Sequence, residues 1–399
     1  MKWFYFYLLM IILSVACSEI ENATDDITNY EEIFSVSLSL PPLDFNEEAD
    51  TKVTISRDDE GTHYLWASTD TIGIFPENGC QLYFSLADGV GSETVSFNGG
   101  GWGLKKDSDY YSCFPFIPDY YIDKETIPLT FLGQKQVGNA SKTKGNIGNY
   151  CYMAAKGELS ADTKGLSFNY IRLGLLNRIV IPVPAGTYES LTLNTSDNIL
   201  AYEGTFNCIN IDQKINNAKY TDKLTIKLED VSFPSDSELI VYMMTPPFQN
   251  LGRQITFEVK NIDGSILSAS TLGKNYTPGA AAQIPNISIY PSSVETSNSA
   301  KNIELNILSG SGTNYTITTD VSWLLLDSNP ITGSNIITVT AEENTNSKRV
   351  GHVIVSEKVT YKNVEYTLNN VMTITQSDKE TNNDTSSNES LEKYEGKWN

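Results

Sequence analysis

The sequence has little positive charge. Lysine and arginine total 28 residues against 49 aspartates and glutamates, which gives a formal net charge of −21. Proteins that bind nucleic acid neutralise its phosphates with a basic patch, so this balance argues against a nucleic-acid partner. The same negative charge argues against adsorption to an anionic lipid surface.

Histidine and recognisable catalytic motifs are also scarce. His63 and His352 lie far apart in sequence and no Cys-x-x-Cys pair accompanies them, so a structural zinc site is not expected. The chain has no Gly-x-Ser-x-Gly elbow to present a hydrolase serine. The glycine-rich segment 98–103 lacks the Lys-Ser/Thr pair of a phosphate-binding loop. We therefore expect a protein that is not an enzyme and that holds no cofactor or metal.

The N-terminal apolar run is too short to cross a membrane comfortably. It covers residues 3–13, follows Lys2 and is closed by Ser14-Val-Ala-Cys17, whereas a transmembrane helix needs about 20 apolar residues. This pattern predicts a secretory signal over residues 1–17. Cys17 resembles the lipid-bearing cysteine of a bacterial lipobox, and an ordinary signal peptide is the alternative. We expect export, an outer-membrane lipid attached through Cys17, and a polar flexible tether over residues 18–32.

The remaining cysteines leave the redox state open. An oxidising compartment permits disulfides, and four cysteines allow three pairings. Their spacing does not choose among the pairings, and buried thiols without disulfides fit equally well. The residues concerned are Cys80, Cys113, Cys151 and Cys208.

Short alternating segments indicate β-structure along the chain. In residues 34–40 (FSVSLSL) apolar residues alternate with serine, which is the pattern of a strand with one buried face. Similar runs recur between clusters of Gly, Asn, Asp and Pro, and such spacing predicts β-sandwiches. One helix candidate, residues 141–155, is weakened by Gly145 and Gly148. Residues 377–399 are polar and acidic, and they predict a disordered tail.

Several segments between residues 33 and 286 resemble the fimbrillin-like lipoproteins of Bacteroidetes. The matching pieces are Trp66 with 70–75 (DTIGIF), 111–116 (YSCFPF), 166–181 (LSFNYIRLGLLNRIVI), 200–206 (LAYEGTF), 242–248 (YMMTPPF) and 255–264 (ITFEVKNIDG). The resemblance implies two tandem transthyretin-like β-sandwich domains, which we place at residues 33–164 and 165–286.

Residues 287–376 are similar to BACON domains, which are small immunoglobulin-like β-sandwiches. The matching pieces are 321–323 (VSW), Gly333, 337–340 (ITVT), Asn344, 349–355 (RVGHVIV) and 372–376 (MTITQ). The segment 358–370 is longer than this pattern expects, and an enlarged hairpin would account for it. The complete fold prediction is therefore all-β, with three sandwiches in a row.

Aromatic residues mark candidate contact surfaces. Rigid aromatic faces stack on sugars and on partner proteins, whereas a small core under long loops, or a core position for the last of them, is the alternative. The residues are Trp102, Tyr110, Tyr111, Tyr120, Tyr121 and Trp323.

The fimbrillin resemblance also implies a maturation site. Proteolysis after a basic residue near the N-terminus would remove the first strand, and Arg57 is the arginine that precedes Trp66. The gap could then accept a strand from another fimbrial subunit. The alternative is that the strand stays in place and the protein remains a lipid-anchored member that does not polymerise. The resulting hypothesis is a lipid-anchored surface protein that acts in adhesion or as an accessory, tip or anchor component of donor-strand-assembled fimbriae. The alternative is a lipoprotein of a polysaccharide-utilisation system that binds host or dietary glycans or mucin.

Overall fold

The described part of the protein is built from β-strands. A computed structural model describes residues 36–39, 53–58, 61–99, 108–118, 122–139, 144–158, 165–310 and 312–379. Within these ranges the helical element is one 3-10 turn, Ile147–Tyr150. The all-β prediction is therefore confirmed. The weak helix candidate over 141–155 does not form an α-helix in its described residues, because the glycines disfavour one and Met153–Glu158 pairs as a strand instead.

The strands are numbered in chain order. The first thirteen are β1 (Val36–Ser39), β2 (Val53–Asp58), β3 (Gly61–Trp66), β4 (Thr71–Pro76), β5 (Leu82–Asp88), β6 (Thr94–Gly99), β7 (Asp109–Phe114), β8 (Ile127–Thr130), β9 (Lys135–Val137), β10 (Lys144–Gly145), β11 (Met153–Glu158), β12 (Leu166–Asn169) and β13 (Ile171–Arg172). The next eleven are β14 (Leu175–Val183), β15 (Gly186–Thr195), β16 (Leu200–Phe206), β17 (Asn216–Thr221), β18 (Lys223–Phe233), β19 (Ser237–Thr245), β20 (Phe248–Gln249), β21 (Gln254–Asn261), β22 (Ile266–Leu272), β23 (Asn275–Tyr276) and β24 (Gly279–Gln283). The last eight are β25 (Ile287–Tyr290), β26 (Ser293–Thr296), β27 (Lys301–Ser309), β28 (Tyr315–Thr319), β29 (Leu324–Leu326), β30 (Asn335–Ala341), β31 (Arg349–Tyr361) and β32 (Val364–Gln376).

The first large sheet has eight strands in the order β12-β1-β6-β5-β4-β7-β11-β13. Its partner strands come from both sides of the predicted domain boundary at 164/165. Strands β12 and β13 follow that boundary in sequence, yet β12 pairs in parallel with β1 and β13 pairs with β11.

The exchange also runs in the other direction. Strand β8 precedes the boundary and pairs with β16, and β9 pairs in parallel with β18. The boundary at 164/165 therefore does not separate the hydrogen-bonded sheets. This is reflected in the core, where one continuous hydrophobic cluster extends from Trp66 to Tyr276.

Residues after 286 have a core of their own. This second cluster runs from Ile287 to Ile374, and it lies between two sets of strands. One set is the four-stranded sheet β26-β32-β31-β28. The other set, β25-β27-β30-β29, continues the ten-stranded sheet that begins at β10, because β25 pairs with β22. The second cluster thus shares a sheet with the preceding part of the chain but not its core.

The long segment 358–370 forms an enlarged hairpin. Strands β31 and β32 pair without a break from Arg349 with Gln376 to Tyr361 with Val364. The hairpin reaches back to the preceding part of the chain, where the Gln254 side-chain amide donates to the Asn369 carbonyl at 2.8 Å and accepts from the Asn369 N–H at 2.8 Å. The Gln254 side chain thus bonds both backbone polar groups of Asn369, as a neighbouring strand would, and it joins the hairpin to β21.

Candidate functional site

The first strand occupies a slot between two strands that are distant in sequence. On one side β1 pairs antiparallel with β6, with Val36 opposite Phe97 and Leu38 opposite Val95. On the other side it pairs in parallel with β12. Strand β1 therefore completes the sheet rather than extending its edge.

The residues opposite β1 belong to the hydrophobic core. Phe97 and Phe168 are fully buried, Leu166 is 1% exposed and Val95 is 3% exposed. The pairing registers align Val36 and Leu38 with these four residues. Removal of β1 would leave two unpaired strand edges beside an apolar strip, which is the arrangement that accepts an added strand.

Arg57 lies in the short hairpin that follows β1 in sequence. Strands β2 and β3 form a two-stranded sheet of their own, in which Arg57 pairs with Thr62. The Arg57–Asp58 bond is therefore next to the hairpin turn, and cleavage there would detach β1 from β3. His63 lies in the same hairpin opposite Ser56.

Two of the aromatic candidates are core residues of β7. Tyr110 is 1% exposed and Tyr111 is 7% exposed, so neither ring is presented to a partner. The ammonium groups of Lys124 and Lys156 lie 5.7 and 5.9 Å from the centre of the Tyr111 ring. Burial, followed by the nearby Asp109 carboxylate, raises the pKa of Tyr111.

The groove near these tyrosines is lined by other residues. It has a volume of about 520 Å³ and lies between the segment after β7 and the β8–β16–β17 sheet. The apolar part of its lining consists of Phe116, Ile117, Leu129, Tyr152 and the prolines at 115, 118 and 128. The Tyr152 hydroxyl caps the β8 edge, since it accepts from the Thr130 N–H at 3.1 Å and donates to the Thr130 carbonyl at 3.0 Å. Sequence reasoning missed this groove because its walls come from segments far apart in the chain.

Trp323 is half-buried beside the second core rather than inside it. The Arg349 guanidinium lies 4.2 Å from the centre of its ring. Arg349 also donates to the Gln376 side chain at 2.8 Å. One face of the indole is thus covered by a cation that the closing strand holds in place. His352, on the same strand as Arg349, is 2.6 Å from the Asp320 carboxylate.

The four cysteines that follow Cys17 are thiols and not disulfides. Cys113, Cys151 and Cys208 are buried, and Cys80 is half-buried. Burial raises the pKa of Cys113 to about 12 and raises that of Cys208 well above its ordinary value. A protonated buried thiol is a poor nucleophile, so Cys113 and Cys208 act as packing groups.

Among the described residues no group of three or more His, Cys, Asp or Glu side chains could hold a metal ion. Within the same ranges no helix is long and apolar enough to span a membrane. Cys17, Trp102, Tyr120 and Tyr121 lie outside the described residues, as do the predicted signal (1–17), the predicted tether (18–32) and positions 380–399.

Two solved structures resemble the chain over much of its length. One is a proposed cell adhesion protein from Bacteroides ovatus ATCC 8483, with a TM-score of 0.39 and 14% identity, and the match covers 64% of this chain and 91% of that one. The other is a proposed cell adhesion protein from Bacteroides thetaiotaomicron VPI-5482, with a TM-score of 0.30 and 12% identity, covering 55% of this chain and 80% of that one. No protein-family model and no curated protein matches the chain. The two likenesses are too distant to assign a family.

Proposed function

We propose that this chain is a non-enzymatic, lipid-anchored cell-surface protein that acts in adhesion, as an accessory tip or anchor component of donor-strand-assembled fimbriae. The observation that supports this proposal is the position of β1 between β6 and β12. Its four residues fill a slot whose two walls do not pair with each other. A strand from another subunit with the same alternation of apolar residues could pair with the same backbone groups and cover the same apolar strip.

The hairpin that follows β1 in sequence can be cut without breaking the pairing of later strands. Among the strands of the described structure, β2 and β3 pair with each other and with no third strand. Cleavage after Arg57 would therefore break one short hairpin and leave β4 to β7 paired as they are. Residues 287–376 contribute a separate core after the first cluster, which favours an accessory role over that of a repeating shaft subunit.

A peptide experiment tests the slot directly. A chain that starts at Asp58 lacks β1, and we expect it to bind the synthetic peptide 33–41 (IFSVSLSLP). The full chain should not bind the peptide, because its own β1 occupies the slot. A peptide carrying Leu38→Pro is the matched control, since proline removes an N–H and its ring disturbs the pairing. Equal binding of both peptides, or of the full and shortened chains, would contradict strand exchange.

Fractionation of the cells that make the protein tests its location and assembly. We expect the chain in the outer-membrane and sheared-surface fractions, in bands larger than one chain before boiling and of single-chain size afterwards. N-terminal sequencing then distinguishes a start at Asp58 from a lipid-bearing Cys17. An Arg57→Ala variant is the control, because it should keep Cys17 whatever the wild type does. Recovery of the chain in the cytoplasm would refute the proposed location.

A further inference from the structure

The last sandwich contains a cavity whose lining is mostly polar. Its volume is about 620 Å³, which is within the range of about 300–1,000 Å³ that is typical of small-molecule sites. Its walls are residues 312–316 at the start of β28, residues 356–358 of β31, Thr367 of β32 and Asn286, which precedes β25. The cavity therefore lies where the long hairpin meets the segment that leads into the last sandwich.

Glu357 contributes a carboxylate that is only half satisfied by hydrogen bonds. The residue is 4% exposed, and it continues the inward-facing row of β31 that contains Val353 and Val355. The Asn286 side-chain amide donates to Oε1 at 2.5 Å, whereas Oε2 has no hydrogen-bond partner among the described residues. A buried carboxylate is costly unless it is paired and hydrogen-bonded. Oε2 is therefore the atom of this cavity that most needs a donor.

The negative charge of Glu357 is not balanced by a cation of the same wall. Lys358 is the one cationic residue among those that line the cavity, and its ammonium lies 2.7 Å from the Glu365 carboxylate, which is outside the lining. Successive side chains of a strand point to opposite faces, so Lys358 leaves β31 on the side away from Glu357. The uncompensated charge attracts a cation and repels phosphates, sulfates and carboxylates.

The rest of the lining supplies further acceptors. Within the described ranges, the side chains of Thr313, Asn314, Thr316 and Thr367 have no hydrogen-bond partner in the protein. Each of them carries an oxygen that accepts hydrogen bonds, and an ammonium group has three N–H donors and no acceptor. Oε2 of Glu357 and two of these oxygens would satisfy all three donors of one ammonium group.

Two other kinds of cation fit this lining less well. A divalent metal ion takes several carboxylate or carbonyl ligands, and Glu357 is the one carboxylate that lines the cavity. A guanidinium group pairs with a carboxylate through both of its oxygens, whereas Asn286 already occupies Oε1. An ammonium group is a compact point charge and needs only the oxygen that is open.

We infer that this cavity, the Glu357 cavity, binds a primary ammonium group on an alkyl stem, as a lysine side chain of a partner polypeptide presents it. Thr316 and Thr367 are exposed while Glu357 is buried, so the ligand has to reach past a polar rim to the carboxylate. A lysine side chain has this shape, because its slim apolar stem carries the charge at its tip. The choice of a polypeptide over a free amine rests on the adhesion proposed above. The ammonium site itself does not, since β1 contributes nothing to the lining.

Saturation-transfer NMR with the purified full chain tests the inference. The probes are Nα-acetyl-lysine N-methylamide, its norleucine analogue, which lacks the ammonium group, and its arginine analogue. We expect saturation transfer to the lysine probe and none to the norleucine probe. Glu357→Gln should weaken binding of the lysine probe about tenfold or more, as expected for the loss of a charge-assisted hydrogen bond. Glu304→Gln removes the same charge at an exposed position of this sandwich outside the cavity, and it should leave binding unchanged.

A second variant keeps the test valid if Glu357→Gln disturbs folding. Thr316 is exposed and lines the cavity, so Thr316→Trp should obstruct the site without altering the core. Loss of lysine binding in this variant, with an unchanged circular dichroism spectrum, supports the inference. No binding of the lysine probe by the wild type, equal binding of the norleucine or arginine probe, or equal binding by the wild type and both cavity variants would overturn it. Binding of n-butylammonium without binding of the lysine probe would overturn the polypeptide source and leave a free amine as the ligand.

Discussion

At the scale of single residues, Trp66 shows how the first core is centred. Its ring is fully buried and meets Phe97 and Phe114 edge-on, with ring centres 5.2 and 5.1 Å apart. Edge-to-face contacts of this kind add to the free energy gained by burial. Its indole N–H, however, has no hydrogen-bond partner among the described residues.

This geometry predicts unequal costs for two substitutions. Trp66→Ala should lower the free energy of unfolding by about 3–5 kcal/mol, because it leaves a large cavity. Trp66→Phe should cost no more than about 1.5 kcal/mol, since it retains an aromatic ring and removes an unsatisfied donor. Urea unfolding followed by far-ultraviolet circular dichroism measures both. Equal costs would contradict this expectation.

Glu357 predicts a pH dependence of stability. Burial raises its pKa above the ordinary value of 4.5, and the Asn286 amide opposes that shift in part. The native carboxyl therefore binds its proton more tightly than the unfolded one. Between 4.5 and the raised native pKa, the free energy of unfolding falls as pH rises, and the full cost is present above that window.

Glu357→Gln should consequently be more stable than the wild type at neutral pH. The difference should shrink as pH falls through the raised native pKa towards 4.5, and thermal unfolding from pH 4 to 8 measures it. Exposed Glu304→Gln is the control. A variant that is less stable by the same amount at every pH would show that the Asn286 hydrogen bond outweighs the cost of burial.

At the scale of elements, the β31–β32 hairpin depends on its turn. The two residues between Tyr361 and Val364 are Lys362 and Asn363, with φ angles of 50° and 62°. Two successive positive φ values define the tight turn whose twist matches that of paired strands. Asparagine tolerates this conformation better than most residues, and lysine does not.

The turn predicts opposite effects at one position. Asn363→Gly should leave stability unchanged or raise it by up to about 1 kcal/mol, because glycine adopts positive φ freely. Asn363→Val should lower it by about 1–2 kcal/mol, since a β-branched residue is strained there. Thr360→Val, an exposed change one residue before Tyr361, is the control and should be nearly neutral. Chemical denaturation measures the free energy of unfolding of each variant. An Asn363→Val variant as stable as the wild type would contradict the role given to the turn.

Sequence patterns predicted where strands lie better than they predicted which strands pair. The alternation in residues 34–40 predicted a strand, and β1 covers Val36–Ser39 within it. Nothing local to that segment indicates that β1 pairs with β6 and β12, because pairing is decided by residues about 60 and 130 positions away. Tyr110 and Tyr111 were ambiguous for the same reason. Both faces of β7 are covered, so the alternation that would separate core from surface is lost.

At the scale of the whole molecule, the two hydrophobic clusters predict two unfolding transitions. The clusters share a sheet through the pairing of β22 with β25, but no core residue belongs to both. Leu193→Ala should destabilise the first cluster and Ile374→Ala the second. Each should lower the free energy of unfolding of its own transition by about 2–5 kcal/mol, since both side chains are fully buried. Differential scanning calorimetry of the two variants provides the measurement. One transition that both substitutions shift equally would show that the shared sheet couples the clusters completely.

The exchange of strands across position 164/165 also limits where related genes can recombine. A recombination event at that point would separate β8 from β16 and β1 from β12, and neither product could complete its sheets. A crossover at 286/287 would break the pairing of β22 with β25 but leave both hydrophobic clusters whole. Related genes can therefore gain, lose or exchange the last sandwich at the cost of one strand pair, whereas the strands from β1 to β24 must stay together.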